Sequence, residues 1–132
     1  MREKEIQYRF VEEWMPQLRN LLGDNLRLYS FEFPVRTKDG TKYADLVFEL
    51  DENENPYKNK MVVLELKKDK VDSGVVEQVL RYSRFAGLQL YRKKKVSSII
   101  AGPSFSQWEI SMCREHGVFP LQYDLKGNMR LL

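Results

Sequence analysis

A single cysteine, Cys113, leaves the chain with no internal disulfide framework and points to an intracellular setting, where thiols stay reduced. No cysteine cluster of the kind that holds zinc can be assembled from it. No apolar run approaches the roughly 18 residues of a membrane span. The N-terminal stretch MREKEIQYRF is charged where a signal peptide would carry its apolar segment. Neither GxGxxG nor a P-loop occurs, so the common nucleotide signatures are missing. Charge of one sign is also lacking: 22 basic residues face 19 acidic ones, for a net charge of +3. That balance permits a polyanionic partner without demanding one. Repeats and low-complexity tracts are absent. What is present is a globular composition, 42% hydrophobic and 12% aromatic over 132 residues, which suits one domain spanning 1–132.

The pattern along the chain alternates between helical and strand periods. In residues 2–22, Ile6, Phe10, Trp14, Leu18 and Leu21 or Leu22 recur at helical spacing. Pro16 interrupts that helix, so a kink or split is expected near Trp14. Residues 26–35 alternate as a strand, with a phase slip at Tyr29–Ser30 that predicts a bulge. Asp39-Gly40 marks a hairpin turn into a second strand at 43–50. A polar turn at 51–59, containing Pro56, leads to a third strand at 60–67. These three strands predict an antiparallel meander. A long helix follows from Ser73 to about Arg92, then a short buried strand at 96–102, so the helix is a crossover and the strand joins the sheet in parallel. Residues 104–117 form a shorter helix with Ser104 or Ser106 as N-cap and Gly117 as stop. VFPLQYDL and NMRLL close the chain as a strand or hairpin around Gly127-Asn128. The order α-βββ-α-β-α-β predicts an α/β domain with a mixed sheet flanked by helices.

The informative stretch is MVVLELKK, Met61 to Lys68. Five of its first seven residues suit a buried strand, yet Glu65 and Lys67 interrupt it near its end, where an unpaired buried charge is costly. Residues two apart on a strand share a face, so Glu65 and Lys67 project together. Asp45 breaks the apolar pattern of YADLVFEL on the preceding strand and can approach Glu65 across the turn. Two adjacent carboxylates call for a neutralising cation, and Mg²⁺ or Mn²⁺ favours such oxygen ligands. A lysine on the same face can steer a water or stabilise developing negative charge, the equipment of metal-assisted phosphodiester hydrolysis.

These residues resemble the PD-(D/E)XK nuclease superfamily: Ala44-Asp45, then Glu65-Leu66-Lys67 at a strand end, within an αβββαβ core of the restriction-endonuclease type. Gln78 and Tyr82, in EQVLRY, are similar to the Q-x-x-x-Y arrangement of RecB-like members. VVLELKKDKVDSGVVEQVLRY is most similar to the catalytic domain of NucS/EndoMS-type DNA endonucleases. The resemblance covers residues 43–86 well and the first helix weakly. Ala44 stands where the superfamily pattern has proline, a difference of backbone shape rather than of chemistry. The resemblance implies a metal-dependent, structure-selective DNA endonuclease. In it Asp45, Glu65 and the Leu66 carbonyl hold the ion, Lys67 acts on the water, and Gln78 and Tyr82 support the site. A further ligand from the first helix is implied, with Glu3, Glu5, Glu12 and Glu13 as candidates and Glu5 preferred. A catalytically silent nucleic-acid-binding module is the alternative.

The remaining polar features read two ways. Arg81 and Arg84 touch DNA phosphates or form a solvated helix face. Lys93, Lys94 and Lys95, in YRKKK, hold phosphates or complement a helix C-terminus. His116 reads as a helix C-cap, Trp14 and Trp108 as core or interface residues, and Cys113 as a buried small hydrophobe. A homodimer is expected, since it supplies a second site and a wider groove to so short a chain.

Overall fold

The computed structural model describes residues 1–51, 60–90 and 96–132, and describes side chains for all of these except 82–90. The polar turn expected at 51–59 falls, apart from Asp51, outside the described residues.

The N-terminal amphipathic stretch is split at Trp14 into α1 (Glu3–Glu12) and α2 (Met15–Leu22). Pro16 lies in the first turn of α2, where no intrahelical bond needs its missing N–H. The strands are β1 (Leu26–Thr37), β2 (Gly40–Leu50), β3 (Lys60–Leu66), β4 (Val96–Gly102), β5 (Val118–Tyr123) and β6 (Met129–Leu131). Between them stand α3 (Ser73–Leu90) and α4 (Gln107–Glu115). Ser106 is the N-cap of α4 and His116 its C-cap.

One six-stranded sheet runs in the order β1-β2-β3-β4-β5-β6. β1, β2 and β3 pair antiparallel, and β3-β4 and β4-β5 pair parallel through helical crossovers. β6 returns antiparallel on β5. The slip expected in the first strand is a register shift between Leu28 and Ser30. The architecture is the expected α/β fold with a mixed sheet.

Strand alternation sorts the buried residues into two layers. Leu46, Phe48, Val62, Leu64 and Leu66 pack against Ile6, Phe10, Trp14 and Leu18 of α1 and α2. Val47, Met61, Val63 and Ile100 pack against Val76 and Val79 of α3 and Cys113 of α4. Trp14 and Cys113 are thus core, while Trp108 is 70% exposed. Among the described residues no helix is long and apolar enough to cross a membrane.

The chain leaving β3 is pinned beside β4. Val71 bonds Ser104 through its N–H and bridges to Phe105. Gly102 lies directly beneath Val71, and a Cβ at Gly102 would collide with Val71 Cγ2. Gly102→Ala is expected to lower unfolding free energy by about 1–3 kcal/mol, the usual cost of overpacking. A urea unfolding curve checks this, and a loss below about 0.5 kcal/mol would show that Val71 moves aside freely.

Candidate active site

The site begins with register. The β2–β3 ladder pairs Val47 with Val63 and Leu46 with Leu64. One step further in the same register sets Asp45 opposite Glu65, where directly opposed side chains meet. The carboxyl groups of Asp45 and Glu65 lie close enough to share a hydrogen bond. Lys67 Nζ stands 3.6 Å from Glu65 Oε1. Glu65 and Lys67 alternate with Val63 and so share its face of the sheet, the one that α3 and α4 cover.

A backbone irregularity shapes the Asp45 side. Phe31 pairs with Leu46 and Phe33 with Ala44, which leaves Glu32 opposite Asp45. Glu32 has φ +47°, an uncommon conformation for a residue with a side chain. Residues two apart on a strand normally share a face. Here Phe31 and Leu46 pack with the α1–α2 layer, and Phe33 and Ala44 with the α3–α4 layer. The strand pair therefore turns over at Glu32 and Asp45. Asp45 occupies the turning point, between the two layers.

Both Asp45 oxygens accept hydrogen bonds. Leu66 N–H donates to Oδ2 at 2.7 Å, and the Gln7 side-chain amide donates to Oδ1 at 3.1 Å. Even so, burial and then the neighbouring Glu65 charge push the Asp45 carboxyl up to about 8. The Leu66 N–H and Lys67 pull in the opposite direction and are outweighed. Without a metal, that balance favours the protonated form of the Asp45 carboxyl at neutral pH.

The backbone completes the oxygen set. Lys67 N–H bonds Ala101 O on β4 at 2.8 Å. Across a trans peptide the carbonyl points opposite to the N–H. The Leu66 carbonyl therefore faces away from β4, toward the side where Asp45 stands. Two carboxylates and a carbonyl are hard oxygen donors, and Mg²⁺ commonly takes one or two carboxylates and completes its shell with water. The residues present fit such an ion.

The first helix contributes differently from the sequence expectation. Glu5 is exposed, and Glu12 and Glu13 lie at the far end of α1. The residue that meets Asp45 is Gln7, 5% exposed. Glu5 is two positions before it, roughly 200° around the helix. Glu3, one turn before Gln7 and on its face, accepts a bond from Lys68 N–H at 3.2 Å. No third carboxylate, imidazole or thiol joins Asp45 and Glu65 in a metal-holding group among the described residues. The signal for Gln7 was in the sequence: it is a polar residue flanked by Ile6 and Phe10 on the apolar stripe.

Gln78 and Arg81 are exposed on α3. Both line a cleft of about 330 Å³ against the β1–β2 turn, with Thr37, Asp39, Lys42, Gly74 and Glu77. Gln78 makes no hydrogen bond to Lys67. Tyr82 and Arg84 belong to α3, but their side chains lie outside the described residues, as do Lys93, Lys94 and Lys95 entirely.

No protein-family model and no curated protein sequence matches the chain. Solved structures do match. A repair endonuclease from Pyrococcus abyssi aligns with TM-score 0.61 and 22% identity over 86% of this chain. EndoMS in apo form aligns with TM-score 0.65 and 17% identity over 94% of this chain. EndoMS in a complex with double-stranded DNA aligns with TM-score 0.58 and 18% identity over 84%. The chain has the EndoMS-like nuclease fold. It spans less than half of each of those proteins: 46%, 47% and 44% respectively. The EndoMS-like likeness carries the architecture, and the chemistry rests on the residues gathered at the end of β3.

Proposed function

We propose that this chain is a metal-dependent DNA endonuclease that hydrolyses phosphodiester bonds at structurally marked sites in DNA. Branched, flapped, single-stranded or mismatched DNA is the substrate class, and repair, recombination or replication inside the cell is the setting. The observation that carries the reading is the meeting of the Asp45 and Glu65 carboxyls with the Lys67 ammonium at one strand end. Its support is an architecture similar to that of a repair endonuclease and of an EndoMS–DNA complex.

Asp45, Glu65 and the Leu66 carbonyl would hold Mg²⁺ or Mn²⁺, which when bound supplies Lewis acidity toward the phosphate and acidifies a water. The chain's own groups do the rest. Leu66 N–H and the Gln7 amide keep both Asp45 oxygens oriented. Glu65 anchors the Lys67 ammonium, which is in reach of the attacking water and of charge developing on the phosphate. Gln78 and Tyr82 serve the phosphate beside the cut. Arg81, Arg84, Lys93, Lys94 and Lys95 serve the DNA backbone, where contacts position without reading sequence. A homodimer would set two such sites on one DNA.

The test is nicking of supercoiled plasmid in Mg²⁺, Mn²⁺, Ca²⁺ and EDTA. Nicking is expected with Mg²⁺ and Mn²⁺. Ca²⁺, larger and less strict in geometry, is expected to support DNA binding without efficient turnover. Full cleavage in excess EDTA would refute metal dependence. DNA binding with no cleavage in any metal would leave a silent binding module.

A further inference from the structure

We infer that Tyr123 is a positioning residue for Lys67: its hydroxyl supplies the hydrogen bond that fixes the backbone of the lysine at the end of β3. The rate consequence rests on the nuclease reading above. The positioning itself does not.

The need for this bond follows from the ladder. β3 and β4 are parallel, with Leu66 beside Ala101, so Lys67 stands beside Gly102. In a parallel ladder a residue donates to the residue before its neighbour and accepts from the residue after it. Lys67 N–H does donate to Ala101 O. Its carbonyl should then accept from residue 103, but Pro103 has no N–H. The ladder cannot continue, and β3 ends at Leu66. The Tyr123 hydroxyl fills the gap, donating to Lys67 O at 2.6 Å.

This clamp reaches the site from the opposite layer of the molecule. Tyr123 is on β5, with its ring packed on Phe10 at 5.3 Å and Trp14 at 6.1 Å between centroids. It is 3% exposed, so the aromatic cluster holds the hydroxyl in place. On the other end of the same peptide group, Lys68 N–H is held by Glu3. The Lys67–Lys68 peptide is thereby fixed at both its polar groups, with Glu65 two residues back on the same short strand. A Lys67 backbone left free would let the ammonium wander from the phosphate. Misplacement of about 1 Å costs up to roughly a hundredfold in rate.

Tyr123→Phe keeps the ring and removes only the hydroxyl. Two measurements decide. Amide hydrogen exchange at Lys67 and Lys68 is expected to accelerate at least about tenfold, with the interior of α3 and β4 unchanged. Single-turnover cleavage of DNA is expected to slow by roughly ten- to a hundredfold, with DNA affinity unchanged. Leu26→Ala is the control: it loosens the same core layer from β1, at the far side of the sheet from Tyr123, and should leave the cleavage rate of the folded protein intact. Unchanged exchange in Tyr123→Phe overturns the inference. So does an equal slowing in Leu26→Ala. A wild-type chain that cuts nothing would remove the nuclease reading instead, while the exchange data still decide whether Tyr123 holds the strand end.

Discussion

Lys67→Ala is expected to abolish DNA cleavage while DNA binding stays nearly unchanged. Lys67 is held 3.6 Å from Glu65 Oε1 at the strand end, so its proposed work is on the water and on charge developing at the phosphate. Removing one electrostatic group of this kind costs roughly 10²–10³ in rate. DNA binding by a protein of this kind generally rests on several phosphate contacts, each a modest part of a salt-dependent total. Replacing Lys93, Lys94 and Lys95 together should give the reverse pattern: weaker binding, a shallower salt slope and residual cleavage at saturating enzyme. Gel-shift and nicking assays on both variants at two salt concentrations make the comparison. A Lys67→Ala protein that cuts at the wild-type rate would reduce the Glu65–Lys67 pair to a strand-end salt bridge.

Asp45→Asn is expected to destroy activity and, without metal, to stabilise the fold. Burial and Glu65 raise the Asp45 carboxyl from 3.8 to about 8. Between those values the folded chain holds a proton that the unfolded chain has lost. Native stability therefore falls as pH rises through that window. The loss is complete only above pH 8, when the folded Asp45 carboxyl is charged. Asparagine carries no such charge, and it can still accept from Leu66 N–H while a turned Gln7 amide accepts from it. At pH 8 to 9 in EDTA the variant should melt roughly 5–10 °C above wild type. At pH 4 to 5 the two should nearly coincide. Adding Mn²⁺ should raise the wild-type melting temperature, since a bound ligand stabilises the state that binds it, and should do little for the variant. Cleavage should fall by roughly 10²–10³ or more. Melting curves over pH with and without Mn²⁺ test the stability arm, and equal pH dependence in the two proteins would show that the Asp45 carboxyl is not raised in the folded chain.

Much of this was legible in the residues. The split at Trp14 follows from a proline inside an apolar stripe. The meander follows from three alternating runs joined by polar turns, and the parallel placement of β4 from a preceding helix long enough to be a crossover, whereas the parallel pairing of β5 with β4 was not legible. Glu65 and Lys67 declared themselves because they are charges on an otherwise apolar strand. Asp45 did so for the same reason, and strand periodicity alone put Glu65 and Lys67 on one face.

Other features needed the folded chain. The sequence argued for a first-helix carboxylate and preferred Glu5, whereas helix α1 turns Gln7 toward Asp45 and Glu3 toward Lys68. Helical phase restricts the choice to one face, but only the docking of the helix on the sheet says which of its residues reaches the strand end. The turn-over at Glu32 has no sequence signature, because a left-handed glutamate is uncommon and no residue type there calls for one. Tyr123 reaches Lys67 from 56 residues away. Local periodicity determined the elements and the chemistry of the E-L-K strand. Which distant donors hold that strand in place was decided by tertiary packing, since hydrogen bonds between remote segments depend on the relative placement of whole elements and leave no periodic trace in the chain.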